Sequence, residues 1–423
     1  MNKKWEICKI NEEDINKICE ENNLSQLIGS ILASKKIISK DEIREFLNPT
    51  RDDFHDPFLM PDMEKAVERI LIAIQNKEKI IIYGDYDVDG ITSVTVLKKF
   101  LEEQGLKTGE YIPNRLNEGY GLNKEAVKNI SEQGYTLIIT VDCGISCIEE
   151  IEYAKELGME VIVTDHHEPG EIIPDCLAVV DAKRKDNKYP FNQLAGVGVV
   201  FKLIQSISLK LNLEAKEYLK YLDIVCVGTI SDIVPLIDEN RVITKLGLKL
   251  VEKTRNIGLK TLLESTGYKE INSTTISFGI APRINACGRM GEEKEALELF
   301  LTNNIQEAKQ ISERLNQYNI ERQETEKQIF KQAIQEIEEE NKDVPCIILG
   351  KEGWHHGIIG IVASKVTDIY FKPSILICFE GEEGKGSGRS IPGFDLHDAL
   401  TKCQSLLEKF GGHAMAIGIT IKQ

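Results

Sequence analysis

The chain has 423 residues, 42% hydrophobic and 28% charged, with a formal net charge of −16. That is enough apolar material for the cores of two or three domains, while the acidic balance excludes a surface coated in positive charge for duplex DNA, though not a local basic groove. The ten cysteines form no CxxC pair, no run reaches about 18 apolar residues, and the opening MNKKWEICKINEED carries no apolar signal core, so a soluble cytoplasmic protein with reduced thiols and no membrane association is expected.

Residues 1–55 are polar and mostly helical in pattern. DEIREFLNP followed by DPFLMPDM reads as a helix, a proline stop and an extended lead-in. MEKAVERILIAIQN (63–76) carries Ala66, Val67, Ile70, Leu71 and Ile74 at helical spacing. KIIIYGD is a continuous apolar run, as a strand buried on both faces should be, and ITSVTVLKKFLEEQG (91–105) is a helix stopped by Gly105. TLIITV and EVIVT are strands with the helix CIEEIEYAKELG between them, and CLAVVDA (176–182) is a further strand. LAGVGVVFKLIQSISLKL is a helix, and IVCVGTI reads as another β-like stretch. Strands alternating with helices imply right-handed crossovers and a parallel sheet. Residues 303–341 contain no Gly or Pro, and Ile305, Ala308, Ile311, Leu315, Ile329, Ala333 and Ile337 form a thin, interrupted stripe. That pattern fits a long exposed helix between two domains better than a coiled coil. VPCIILG, KPSILICF and AIGITIK then resume strands. The expected fold is α/β: a parallel-sheet domain (56–240) after an N-terminal helical lead-in (1–55), then a connecting region with a long helix (241–342) and a smaller α/β domain (343–423).

Acidic and imidazole residues stand at the ends of the apolar runs. They are Asp85, Asp87 and Asp89 in YGDYDVDG, Asp142 in TVDCG, Asp165, His166 and His167 in TDHH, and Asp232 in GTISDIVPL. Ligands of a parallel α/β sheet gather beyond the carboxyl ends of its strands, so these distant residues can converge. Carboxylates with imidazole suit Mn²⁺, Mg²⁺, Fe²⁺ or Zn²⁺, and so many carboxylates in one place repel without cations between them. In extended backbone the spacing of Asp85, Asp87 and Asp89 puts all three on one face, with Gly90 making a tight turn into the next helix. A lone DxD is more often an acidic turn with capping aspartates; four clusters in equivalent places favour a metal site. His166 and His167 are adjacent and expected to diverge, one toward a metal and the other toward substrate or a second ion, with Asp165 fixing a ring tautomer. Asp142 is the candidate bridging carboxylate. Two ions about 3.5–4 Å apart can activate water and stabilise the leaving oxygen of an in-line phosphoryl displacement. The chain has no Ser–His–Asp order, P-loop or GxGxxG, which argues against covalent catalysis and nucleoside triphosphate hydrolysis.

Taken together, YGDYDVDG, VDCG, TDHH and GTISDIVPL resemble the DHH phosphoesterase superfamily. The likeness to its RecJ single-strand-specific exonuclease family extends through DPFLMPDMEKAVERI, IPNRLNEGYGL, LAGVGVVFKL, FGIAPRINACGRMG, GWHHGIIGIVASK and FGGHAMAIGIT, from about residue 56 to the end. The resemblance implies a DHH catalytic domain, a connecting helix and a DHHA1 substrate-binding domain. It also implies 5′→3′ hydrolysis of single-stranded DNA to 5′-mononucleotides with two Mn²⁺ or Mg²⁺ ions, in DNA recombination and repair. On it, Asp87, Asp89, Asp142, His166 and Asp232 match metal ligands, and Asp85, Asp165 and His167 match catalytic positions beside them. Arg115, Arg283, Asn285, Arg289, Ser387 and Arg389 match substrate-binding positions resembling a 5′-phosphate pocket, with Gly384, Gly386 and Gly388 allowing close backbone approach. His413 matches a contact to the scissile nucleotide, a satisfied histidine in a Gly-Gly turn being the ordinary alternative. Trp354, His355 and His356 could stack on a base or simply begin a helix. Implied partners are single-stranded DNA, a single-strand-binding protein and a helicase, with a monomeric state. Members of this kind usually continue past the GGH segment into an OB-fold, whose absence here would lower affinity and processivity. A DHH/DHHA1 phosphodiesterase on short oligonucleotides or cyclic dinucleotides and a non-catalytic DNA-binding replication scaffold are the competing readings.

Overall fold

The computed structural model describes residues 7–340 and 344–422, so the parts of the expected segments at 1–6, 341–343 and 423 lie outside the described residues. The chain divides into two compact units, one comprising Met1–Tyr111, Gly121–Arg255 and Tyr268–Ser277, the other Ile112–Tyr120, Asn256–Gly267 and Phe278–Gln423. Among the described residues no helix is long and apolar enough to cross a membrane.

The first unit opens with α1 (Glu12–Asn22), α2 (Gln26–Ser34), α3 (Lys40–Leu47) and α4 (Met63–Asn76). Then come β1 (Ile80–Tyr83), α5 (Val88–Glu103), β2 (Thr108–Tyr111), α6 (Lys124–Glu132), β3 (Leu137–Val141), α7 (Ile148–Glu156), β4 (Glu160–Thr164) and β5 (Ala178–Val180). It closes with α8 (Gly196–Lys210), α9 (Lys216–Leu219), α10 (Leu222–Ser231) and α11 (Asp238–Val251). The strands form one parallel sheet in the order β2-β1-β3-β4-β5. Their continuous apolar runs are needed because both faces are covered. Val127 and Ile130 of α6 and Ile151 and Ala154 of α7 pack on one face with Ile81, Ile138 and Val161, while α5 and α8 pack on the other.

One segment differs from expectation. IVCVGTI belongs to helix α10, not to a strand. Leu222 through Ile230 are all buried, and α5, α8 and α11 surround the helix. A helix apolar on every side has no amphipathic period, and a short β-branched run then reads like a buried strand. Glycines allow the crowding: a Cβ on Gly228 would lie 2.2 Å from Thr92 Oγ1, and one on Gly247 would lie 2.4 Å from Cys226 Cβ.

The second unit contains α12 (Ile257–Thr266), α13 (Ala281–Arg289), α14 (Glu293–Leu301) and α15 (Ile305–Glu340). After these come β6 (Ile347–Glu352), α16 (His356–Tyr370), β7 (Ser374–Glu380), β8 (Glu383–Arg389), α17 (Leu396–Thr401), β9 (Lys409–His413) and β10 (Ala416–Lys422). Its mixed sheet runs β6-β7-β8-β10-β9, with only β6 and β7 parallel. The thin stripe of α15 is its packing seam: Ile305 is exposed, but Ala308, Ile311, Leu315, Ile329, Ala333 and Ile337 are buried, against α12, α13 and α14 early in the helix and α16 later. The glycines of GKGSG do not form a ligand loop. They lie in strand β8, where Cβ atoms on Gly384, Gly386 and Gly388 would meet Phe379, Ile419 and Ile417 at 2.6 Å each. Their absent side chains let the sheet close on that core, and strand alternation turns Lys385, Ser387 and Arg389 to the opposite face.

A buried ion pair ties the chain before α4 to α11. Lys202 Nζ lies 2.8 Å from Glu239 Oε1 and donates to His55 O at 2.8 Å, with both charged side chains fully buried. Glu239 also accepts from His55 N and Tyr189 Oη. Removing one partner strands a buried charge. Lys202→Met is expected to lower the unfolding free energy by about 3–5 kcal/mol. Adding Glu239→Gln should recover part of the loss, as measured by urea unfolding of both variants.

Candidate metal centre

The first acidic cluster is a strand-to-helix junction rather than extended backbone. β1 ends at Tyr83, and Asp87 is the N-cap of α5, its Oδ1 accepting from Asp89 N at 2.8 Å and Gly90 N at 3.1 Å. The capping role and the cluster therefore coexist. Gly90 is required because its Cβ would fall 2.4 Å from Asp85 O, a close approach and not a left-handed turn. Asp89, inside the first turn of α5, accepts from Gly196 N at 2.6 Å and Val197 N at 2.8 Å and so caps α8.

The other clusters arrive from neighbouring elements. Asp142 follows β3 with φ 60, a left-handed conformation that aspartate tolerates. Gly196 makes room for it, since a Cβ there would lie 2.6 Å from Asp142 Oδ1. Asp165 follows β4 and accepts from Ile145 N at 2.9 Å, His166 N at 2.7 Å and His167 Nδ1 at 2.8 Å. That last bond directs the Nδ1 proton of His167 toward Asp165 and turns its Nε2 lone pair away. His166 and His167 do not diverge as expected: their ring centroids are 4.5 Å apart. His166 Nε2 lies 3.1 Å from Asp142 Oδ1 and 3.8 Å from both Asp89 Oδ2 and Asp232 Oδ2. Asp232 comes from the C-terminus of α10.

Three groups of donors result, each with one ligand atom per residue within 4.8 Å of the others: Asp85, Asp87 and Asp142; Asp89, His166 and Asp232; Asp142, His166 and His167. Asp142 and His166 each belong to two groups. The electrostatics suit cations. Burial, then the charges of Asp232 and Asp87, push the Asp89 carboxyl well above the usual carboxylate range. Burial, then Asp89, does the same to Asp142. Burial and Asp87 push Asp232 up to about 7, and burial with the neighbouring His167 pushes His166 down to about 4. Burial works to raise Asp165, but the bond and charge of His167, the Ile145 amide and the charge of His166 together outweigh it and hold that carboxyl low; His167 is held high against its own burial, chiefly by Asp165. Divalent cations with oxygen and imidazole ligands would relieve this crowding.

One residue here escaped the sequence reading. Asp181, fully buried after β5, uses Oδ1 to accept from Lys183 N at 2.7 Å, while its Oδ2 is buried without a hydrogen-bond partner among the described residues. Burial pushes it up to about 7, and Asp165 adds to the effect. Its place at the end of CLAVVDA was signal enough, by the strand-end rule that found the others.

The expected phosphate-binding residues lie in the second unit. Asn114 Nδ2 donates to Gly291 O at 3.2 Å and Glu293 Oε1 at 3.0 Å, fixing the IPNR segment beside the end of α13, where Arg289 stands. Arg289 Nη1 donates to Gly357 O at 3.0 Å, and Arg389 Nη1 to Ser387 Oγ at 3.1 Å and Gly388 O at 2.7 Å. Burial and the charge of Arg115 lower the Arg389 guanidinium. His356, unnoticed as a member, is pushed down to about 4 by burial, then by Lys385 and Arg115. Such a gathering of cations suits an anion. Other expected members are engaged differently: Arg283 donates to Asn316 Oδ1 and Gly279 O, and Asn285 is half-buried in the middle of α13. His413 is exposed on β9, where its Nδ1 accepts from Met415 N at 3.2 Å. Trp354 is buried, its Nε1 donating to Gln332 Oε1 at 2.8 Å, and His355 caps α16, so these two begin a helix and its core.

The description "DHH family, N-terminal domain" matches residues 79–229, and "DHHA1 domain" matches residues 343–423. The single-stranded-DNA-specific exonuclease RecJ of Haemophilus influenzae is 35% identical, the match covering 89% of this chain and 69% of that protein. The chain belongs to the RecJ family. The Bacillus subtilis protein of the same description is 42% identical over 99% of this chain and 53% of its own length. The crystal structure of RecJ from Thermus thermophilus in complex with Mn²⁺ superposes with a TM-score of 0.84 at 30% identity, over 97% of this chain and 58% of that one. The chain thus spans about half the length of these last two RecJ relatives.

Carboxyls raised on folding make the metal-free RecJ fold lose stability as pH rises. Asp232 favours its protonated form up to about 7 while its unfolded counterpart ionises near 4; Asp89 and Asp142 act in the same sense. His166, held neutral, acts oppositely below its unfolded value near 6.5, but one group is outweighed by three. The melting temperature of chelator-treated protein should therefore fall between pH 5 and pH 7, and the stabilisation on adding Mn²⁺ should grow over that range. Thermal melts with and without Mn²⁺ check both.

Proposed function

We propose that this chain carries the catalytic part of a single-stranded-DNA-specific 5′→3′ exonuclease that hydrolyses phosphodiesters to 5′-mononucleotides. The observation that carries the reading is the set of three donor groups sharing Asp142 and His166. Asp87, Asp89, Asp142, His166 and Asp232 are assigned to hold two Mn²⁺ or Mg²⁺ ions. When bound, such a pair supplies an activated water and neutralises charge on the displaced oxygen. The protein's own residues do the rest. Asp165 holds the His167 ring so that Nε2 faces outward, where it can exchange a proton with the reacting groups. Asp85, buried beside Asp87 and Asp142 in the first donor group, is assigned a catalytic role next to the ions. Arg115, Arg289, Ser387 and Arg389 bind the 5′-phosphate through charge-assisted hydrogen bonds, with Arg283, Asn285 and His413 as flanking contacts.

The same proposal takes the chain as a lead-in (1–55), a DHH catalytic domain (56–240), a connecting region (241–342) and a DHHA1 substrate-binding domain (343–423). Its setting is a cytoplasmic monomer working in recombination and repair beside a helicase and a single-strand-binding protein. RecJ-family membership and the paired donor groups support an enzyme over a non-catalytic scaffold.

Degradation of a 5′-phosphorylated oligonucleotide with Mn²⁺ tests the reading. Asp142→Asn is expected to lower kcat by about a hundredfold or more, beyond the effect of altering groups that only support metal ligands; activity within a few-fold of the parent would sink the proposal. Arg389→Ala is expected to raise KM for the 5′-phosphorylated strand by about tenfold or more, the worth of a charged hydrogen bond. It should change KM little for the same strand with a 5′-hydroxyl.

A further inference from the structure

Nine non-glycine residues among those described have a positive φ, and most are Asn, Asp or Lys. Ile233, at φ 63, is the one β-branched residue in the set. A left-handed conformation costs an L-residue roughly 1–2 kcal/mol, and branching at Cβ adds to the strain. The backbone requirement itself is ordinary. α10 ends at Ser231, and Ile233 N reaches back to Ile230 O at 3.4 Å, a helix stop that glycine makes without strain. Nor does packing compensate, since the Ile233 side chain is 88% exposed. Its position is one peptide bond from Asp232, whose carboxylate faces His166 in the donor cradle. A strained, solvated isoleucine beside such a carboxylate marks a functional position.

We infer that Ile233 is a substrate-binding contact whose side chain packs on the base of the nucleotide being released. This rests on the exonuclease reading above. Every base offers an apolar face, so the contact serves an enzyme that must accept any sequence. A side chain branched at Cβ is stiff and loses little freedom on making it. Covering the exposed isoleucine with a base also recovers the hydrophobic free energy that the isolated protein leaves unused.

The test compares parent and Ile233→Gly proteins, both loaded with Mn²⁺, on two 5′-phosphorylated oligonucleotides, one ordinary and one abasic at its 5′-terminal nucleotide. Ile233→Gly should melt at the same or a higher temperature and bind Mn²⁺ as the parent does. On the ordinary strand its kcat/KM should fall about tenfold, mainly through KM, as loss of a buried aliphatic contact implies. On the abasic strand the two proteins should be alike, and Ile233→Val should behave as the parent on both. Equal rates on the ordinary strand overturn the inference. An equal loss on both strands also overturns it and reassigns Ile233 to the positioning of Asp232. A parent that binds Mn²⁺ yet leaves both strands intact overturns the exonuclease reading, and this inference with it.

Discussion

Mutual repulsion among buried carboxylates is the constraint on which the first unit is organised. Asp85, Asp89, Asp142 and Asp165 are all nearly inaccessible to water, and Asp87 and Asp232 complete the ring of negative charge. Two devices keep the cluster folded. Backbone amides absorb part of the charge, from Gly196 and Val197 to Asp89 and from Ile145 and His166 to Asp165. The remainder is left as carboxyls raised by burial and by one another's charge. The glycines around the cradle belong to the same solution. Gly90, Gly196 and Gly228 let helices approach so closely that a methyl group at any of them would meet a carboxylate or its supporting backbone.

Much of this was legible from the residues, for a reason specific to parallel sheets. Strands buried on both faces must be continuously apolar, so KIIIY, TLIITV and EVIVT declared themselves, and their carboxyl ends had to be where ligands gather. Residues Met63–Asn76 were read as a helix to the residue. The failures have a common origin in tertiary context. α10 lost its helical signature because neighbours on every side removed the polar face that periodicity relies on. Asp85, Asp87 and Asp89 were taken as an extended run because spacing by two is the mark of a strand, whereas a cap and a helical turn occupy that stretch. Asp181 was passed over although the strand-end rule applies to it as it does to Asp142, which also stands alone in the chain.

The second unit inverts the charge logic. Here it is cations that are brought together, and the glycine-rich strand β8 shows how. Read from composition, GKGSG suggests a loop wrapped round a phosphate. In the fold its glycines face an aliphatic core formed by Ile377, Ile417 and Ile419, and the intervening Ser387 and Arg389 present their side chains across α16 at Gly360. The alternation lets one strand be packed tightly on one side and chemically equipped on the other. It explains why Arg389 is held by its own strand's Ser387 and Gly388 oxygens rather than by a carboxylate.

The anchoring of Asp89 bears on the ligand role proposed for it. Both its oxygens are pinned by amides at the start of α8, within a helix turn of α5 that is itself fixed by Asp87. A carboxylate so anchored cannot swing outward to follow a wider ion. Calcium prefers oxygen at about 2.3–2.6 Å in pliable, many-coordinate shells, whereas magnesium demands a compact octahedron at about 2.0–2.1 Å. For the ligand role proposed for Asp89, this rigidity would favour the smaller ion, and it is set by the backbone at the start of α8.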